Sequence, residues 1–97
     1  MIEQNANTLR VSGPMLIANA SALLEAGRGF LRNGPPPGDL LLDLSAAEET
    51  DSSALSVVFG LLRTANERGL TLRVAHAPAS MISQAELYGV ADCLPLA

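Results

Sequence analysis

The sequence predicts one α/β domain over residues 1–97, a mixed sheet of four to five strands with three or more helices packed mainly on one face. Three observations predict it. Short apolar runs alternate with longer segments in which apolar residues recur at three- and four-residue spacing, the period of a helix. A helical pattern over 54–65 lies between apolar runs at 40–45 and 70–74, and a strand, a helix and a strand joined in this way make a parallel pair. Finally, 48% of the 97 residues are hydrophobic, yet the aromatics are two Phe and one Tyr. The core must come from Leu, Val, Ile and Ala, which suits helices laid on a sheet and leaves little to stack on bases or sugars.

Taken in order, Ile2 to Gln4 and Thr8 to Ser12 read as two strands of a hairpin turning at Asn5-Ala6-Asn7, since Asn tolerates left-handed backbone. Leu9 and Val11 alternate with Arg10 and Ser12, the pattern of a strand with one buried face, and Gly13-Pro14 is expected to end it. From Asn19 to Arg32, Ala20, Leu23, Leu24, Gly27, Phe30 and Leu31 form one stripe of an amphipathic helix capped by Asn19 or Ser21. Gly27 and Gly29 each cost such a helix roughly 1 kcal/mol relative to Ala. Close approach of the helix to the sheet would compensate; the alternative is that the helix frays or bends there. Asn33 to Gly38, with three prolines, reads as a stiff connector.

The next strand and helix are the centre around which the chain is organised. Leu40-Leu41-Leu42-Asp43-Leu44-Ser45 is a buried strand, Ala46 to Thr50 an acidic loop, and Asp51 or Ser52 the N-cap of a helix whose apolar face is Ala54, Leu55, Val58, Leu61, Leu62 and Ala65. Gly69 ends this helix in the left-handed position, and Leu70 to Val74 is the next strand. Pro78 and Ser80 open a third helix in which Ile82, Ala85 and Tyr88 or Leu87 face inward, and Gly89 closes it. Val90 to Leu96 is too short and mixed to assign.

Charge and chemistry narrow the function. Ten acidic against six basic residues give a net charge of -4, the wrong sign for a nucleic-acid binder. Cys93 is the single cysteine, which excludes an internal disulfide; it reads as a small core or edge residue, and no metal-ligand spacing or cofactor motif is present. Met1 to Thr8 lacks the basic start and apolar stretch of a signal peptide, and no apolar run approaches the roughly 20 residues of a membrane span. A cytoplasmic protein is expected, reaching a membrane only through a partner. A hydrolase triad of Ser52 or Ser53 with His76 and an Asp lacks both the Gly-x-Ser-x-Gly elbow and an oxyanion motif, and His76 reads as a loop residue.

The candidate site is therefore a surface. Ser52, Ser56, Phe59 and Arg63 share a second stripe of the central helix, and aromatic and Arg side chains dominate interface energetics. Phe59 rolled over the core edge with Arg63 simply solvated is the competing reading. Glu48, Glu49 and Asp51 precede a helix N-terminus, where the dipole favours negative charge, and the same carboxylates would steer a basic partner. By the dipole argument a phosphate on Ser53 would leave the fold intact.

Asp43-Leu44-Ser45 followed by Asp51-Ser52-Ser53-Ala54 resembles the signature of the STAS domain family, with Ala54 standing where Gly is usual, and the resemblance covers nearly the whole chain. It implies the STAS fold, a non-catalytic role, and Asp51, Ser52, Ser56, Phe59 and Arg63 as partner-binding candidates, with Ser52 and Ser53 as regulatory or phosphorylation candidates. Two branches compete. The stretch Ala85 to Pro95 is similar to MlaB-like STAS subunits, which bind the ATPase subunit of a phospholipid ABC transporter that maintains outer-membrane lipid asymmetry. The other branch, the anti-sigma factor antagonists, binds a kinase-like anti-sigma factor and is switched by phosphorylation at the position of Ser53.

Overall fold

The computed structural model describes residues 1–33 and 38–97. The connector read at Asn33 to Gly38 lies mostly outside the described residues. In chain order the elements are β1 (Ile2–Asn5), β2 (Thr8–Met15), α1 (Ile17–Arg32), β3 (Asp39–Thr50), α2 (Ser52–Glu67), β4 (Thr71–Ala75) and α3 (Ala79–Leu87), then a single 3-10 turn, Ala91–Cys93. The strands form one sheet in the order β1-β2-β3-β4, the first pair antiparallel and the other two parallel. An isolated parallel bridge between Val74 and Leu96 adds the start of a fifth strand beyond β4.

Alternation along the strands decides which face of the sheet is covered. Leu9, Val11, Leu40, Leu42, Leu44, Leu72 and Val74 are buried, whereas Arg10, Leu41, Ser45 and Arg73 are exposed on the other side. The buried rows meet Leu23 and Leu31 of α1 and Leu55, Val58, Leu61 and Ala65 of α2. The α2 face therefore stands as the sequence predicts, apart from half-buried Leu62. Thr64 is the one buried polar side chain among the described residues, and its hydroxyl is satisfied on both sides: it donates to the Gly60 carbonyl at 3.1 Å and accepts from Arg28 Nε at 3.2 Å.

Gly27 has the close neighbour expected of it, but the neighbour is a helix. A Cβ on Gly27 would stand 2.5 Å from Leu61 Cδ2, and one on Gly60 would stand 2.7 Å from Leu24 Cδ1. Each helix thus sets a leucine against a glycine of the other, which brings α1 and α2 together. Gly29 has nothing within 4 Å of its missing Cβ, so contact does not compensate its cost.

Several boundaries differ from the sequence reading. Gly13-Pro14 does not end β2. Gly13 takes a φ of 83° and two register shifts, between Arg10 and Ser12 and between Gly13 and Met15, let the strand continue to pair with β3. The acidic loop is absent because β3 runs on through Glu49 to Thr50, paired along Ala46, Ala47 and Thr50 to Ser12, Gly13 and Met15. Leu16, not Asn19 or Ser21, is the N-cap residue of α1. Asn19 works from inside the first turn, its Oδ1 accepting from the Leu16 N–H at 2.9 Å while its amide donates to the Pro14 carbonyl at 2.7 Å. In α3 the inward residues are Met81 and Ala85; Ile82 is half-buried, and Leu87 and Tyr88 are 80% and 60% exposed. The helix closes at Leu87 and Tyr88 is its C-cap, so the inward stripe stops one step short of Tyr88. Among the described residues no helix is long and apolar enough to cross a membrane.

A candidate partner-binding site where two helices begin

Asp51 is the residue on which the site is built. Its backbone is extended, the conformation of an N-cap, and its N–H donates to the Met15 carbonyl at 3.3 Å, which pins it to the end of β2. One carboxylate oxygen, Oδ1, accepts from the Ser53 N–H at 2.9 Å and from the Ser53 hydroxyl. The other, Oδ2, accepts from the N–H of Ile17, the first residue of α1, at 3.0 Å. A single side chain therefore satisfies otherwise unpaired N–H groups of two helices. These bonds favour the charged form: the Ser53 hydroxyl first, then the Ile17 N–H, hold the Asp51 carboxyl below its ordinary 3.8. Thr50 and Ser80 join their hydroxyls at 3.2 Å just upstream, tying the end of β3 to α3.

The sequence-predicted stripe is present on α2. Ser52, Ser56 and Arg63 are exposed, and Phe59 is half-buried, packed against the core from its edge. Phe59 thus sits at the core edge, with part of it on the surface. The residues that complete the surface come from elsewhere. Ile17, 80% exposed at the start of α1, and Tyr88 with Val90, past the end of α3, line one open groove of about 480 Å³ with Ser52, Ser53, Leu55, Ser56 and Phe59. Arg63 does not line it. Sequence reasoning missed Ile17, Tyr88 and Val90, and the available signal was the Leu87-Tyr88 pair, two adjacent large apolar residues that cannot both face inward. A large, nearly bare Ile and a Tyr beside three hydroxyls combine apolar contact area with hydrogen-bonding groups, a composition suited to another protein.

Glu48 and Glu49 are both exposed, and as neighbours on a strand they point to opposite faces. His76 is the loop residue expected, with a left-handed φ of 57°. Its ring bonds Asp43 rather than an aspartate at the serine pair, Nδ1 lying 3.1 Å from Asp43 Oδ1. That oxygen also accepts the Ser45 N–H at 2.9 Å, and this bond is the main reason the Asp43 carboxyl lies below its usual range. The pairing follows from register, since Asp43 stands opposite Ala75 on β4. Cys93 is exposed rather than in the core.

A family model described as "Mlab, STAS domain" matches residues 1–96. The chain belongs to the STAS domain family. Solved STAS-like structures bear out the fold. An anti-sigma factor antagonist from Mycobacterium paratuberculosis is 25% identical over 99% of this chain and 81% of that one, with a TM-score of 0.71. A sulfate transporter family protein from Wolinella succinogenes is 15% identical over 97% of this chain and 75% of its own, with a TM-score of 0.69. The anti-sigma factor antagonist SpoIIAA, in its unphosphorylated form, is 13% identical over 90% of this STAS domain and 81% of its own chain, with a TM-score of 0.66. No curated protein matches the sequence.

Proposed function

We propose that this STAS domain is a non-catalytic subunit that binds, and supports the activity of, the ATPase of a phospholipid ABC transporter of the Mla type. The observation that carries the reading is the match of an MlaB-described family model to almost the full chain, joined to an apolar groove at the start of α2. On this reading Asp51 holds the start of both helices in place, Ser52 and Ser56 contact the ATPase, Phe59 and Tyr88 are its anchors, and Arg63 extends the contact along α2. The protein works in the cytoplasm, meets the inner membrane only through that complex, and serves outer-membrane lipid asymmetry.

Ser52→Glu is the cleanest probe. Ser52 is exposed at the first position of α2, where a carboxylate suits the helix but adds a charge to the proposed interface. Ser53→Glu is less clean than the dipole argument alone implies, because it removes a donor from Asp51 and sets a second carboxylate beside it. Co-expressed with the ATPase subunit and the transporter permease, the parent domain should copurify with the ATPase. Ser52→Glu and Tyr88→Ala, folded by circular dichroism, should lose at least about tenfold in affinity, as expected of an interface anchor. Variants that copurify like the parent would remove this groove from the interface.

A second reading, an anti-sigma factor antagonist, is favoured by the Ser53 hydroxyl held against the Asp51 carboxylate and by the likeness to antagonist structures. It predicts capture of a kinase-like anti-sigma factor instead, with ATP-dependent addition of one phosphate that Ser53→Ala abolishes.

A further inference from the structure

Charge is distributed unevenly about the groove at the start of α2. Three segments build its surroundings: the end of β2 with the first half of α1 (12–24), the end of β3 with the first half of α2 (46–59), and α3 with the turn after it (79–93). They hold Glu48, Glu49, Asp51, Glu86 and Asp92, half of the ten acidic residues of the chain, and none of its six Arg. Arg28, Arg32, Arg63 and Arg68 lie in the second halves and at the ends of α1 and α2, whereas Arg10 and Arg73 are on the uncovered face of the sheet. The Met1 ammonium donates to the Ser12 carbonyl, and Met1 lines a separate hollow with Asn19 and Ala22.

The acidic excess is real once the helix starts are counted. Two helix N-termini contribute roughly +0.5 charge each, so the Asp51 carboxylate, bonded to both, offsets them by itself. An anionic ligand therefore has no call on this end of the molecule. Glu48, Glu49, Glu86 and Asp92 are all exposed, and among the described residues none of them makes an ion pair.

The walls of the groove restrict the form of what fills it. They come from α1, α2 and the end of α3, and β2 and β3 are each paired on both sides, so no open strand edge faces it. An extended segment laid on Ile17, Leu55, Phe59 and Val90 would leave its own backbone groups without partners. A helix arrives with its backbone paired and can set one apolar stripe against those side chains. Ser52 and Ser56, small and one turn apart, let it lie close along α2.

We infer that the occupant of this groove is an amphipathic helix of the partner that carries Arg or Lys on the flanks of its apolar stripe. The inference rests on the reading of the groove as the ATPase contact and names the chemistry the ATPase must present there. An acidic helix would bring like charge beside Glu48 and Glu49. Arg63, on the same stripe of α2 but outside the groove, marks where the basic preference ends.

The test uses the domain copurified with the ATPase subunit. With a photoreactive phenylalanine analogue in place of Tyr88 or Ile17, the captured ATPase residues should fall in one helix at three-, four- or seven-residue spacing, flanked by Arg or Lys. Glu48→Gln combined with Glu49→Gln, folded by circular dichroism, should slow association at least about fivefold and flatten its dependence on NaCl. Glu3→Gln combined with Glu67→Gln, equal in charge change but outside these segments, should leave both unchanged. Capture in an extended or acidic segment, or an equal effect of the two Gln pairs, overturns the inference and leaves the ATPase reading in place. Failure of the parent to copurify overturns that reading and the inference with it.

Discussion

Gly27 and Gly29 stand two residues apart in one helix, and substituting each with Ala should shift stability in opposite directions. In a helix interior Ala is worth about 0.5 to 1 kcal/mol more than Gly. At Gly29 the new methyl group meets nothing within 4 Å, so Gly29→Ala should realise that gain and raise the melting temperature by a few degrees for a domain of this size. At Gly27 the methyl would stand 2.5 Å from Leu61 Cδ2 and 3.1 Å from Leu61 Cδ1, and Leu61 is fully buried, so its side chain must shift within the core. Overpacking of this kind costs about 1 to 3 kcal/mol. The net effect of Gly27→Ala is therefore a loss of up to about 2.5 kcal/mol. The difference between the two variants isolates the contact, because the helix preference cancels. Urea unfolding at low protein concentration, with an unchanged slope, measures both. The double variant Gly27→Ala with Leu61→Ala should show less than the sum of its parts, since the truncated side chain makes room for the methyl. Equal stabilisation by the two glycine substitutions would refute the helix-to-helix contact.

Leu61→Ala alone should cost about 2 to 5 kcal/mol in the same assay, as a fully buried leucine does; a change within error would show that the α2 register is wrong. Asp51→Ala should destabilise the domain by releasing N–H donors of α1 and α2 together, and exchange of the Ile17 and Ser53 amides with deuterium should speed up in step. Acid should act on the same group: a carboxyl whose folded pKa lies below its ordinary 3.8 stabilises above that pH, and the contribution disappears as pH falls through the lower folded value. Asp51→Asn should flatten that part of the acid transition, and an unchanged profile would count against the helix tie.

The chemistry of short segments made much of the fold legible. The Asn5-Ala6-Asn7 hairpin formed where expected, although Ala6 rather than an Asn carries the positive φ of 53°. The α2 face followed from its spacing, and Asp51 is the N-cap because its oxygen reaches the first free N–H groups. What stayed hidden depends on register and on partners distant in sequence. Ala46 to Thr50 look like a loop because they are small or acidic, yet parallel pairing to β2 makes them a strand. The partner of Gly27 is 34 residues further on, and no local pattern names it. At the site, the α2 stripe was readable from periodicity, whereas Ile17 and Tyr88 reach the groove through chain ends of two other helices. The join of Asp51 to Ile17 is likewise invisible until β2 and β3 place the two helix starts together.

The short bridge beyond β4 has a bearing on how the protein survives in solution. The Val74 N–H donates to the Pro95 carbonyl and the Val74 carbonyl accepts from the Ala97 N–H, each at 2.8 Å. Three late residues thereby occupy the outward backbone groups of Val74, on a strand that is otherwise the free margin of a parallel sheet. An uncovered margin of that kind templates the addition of foreign strands and hence precipitation. Removing Pro95 to Ala97 would barely touch the core, whose last contributor is Leu94. It would nonetheless turn a soluble margin into an adhesive one, so the first symptom of trimming this segment should be clouding on standing rather than loss of helix signal.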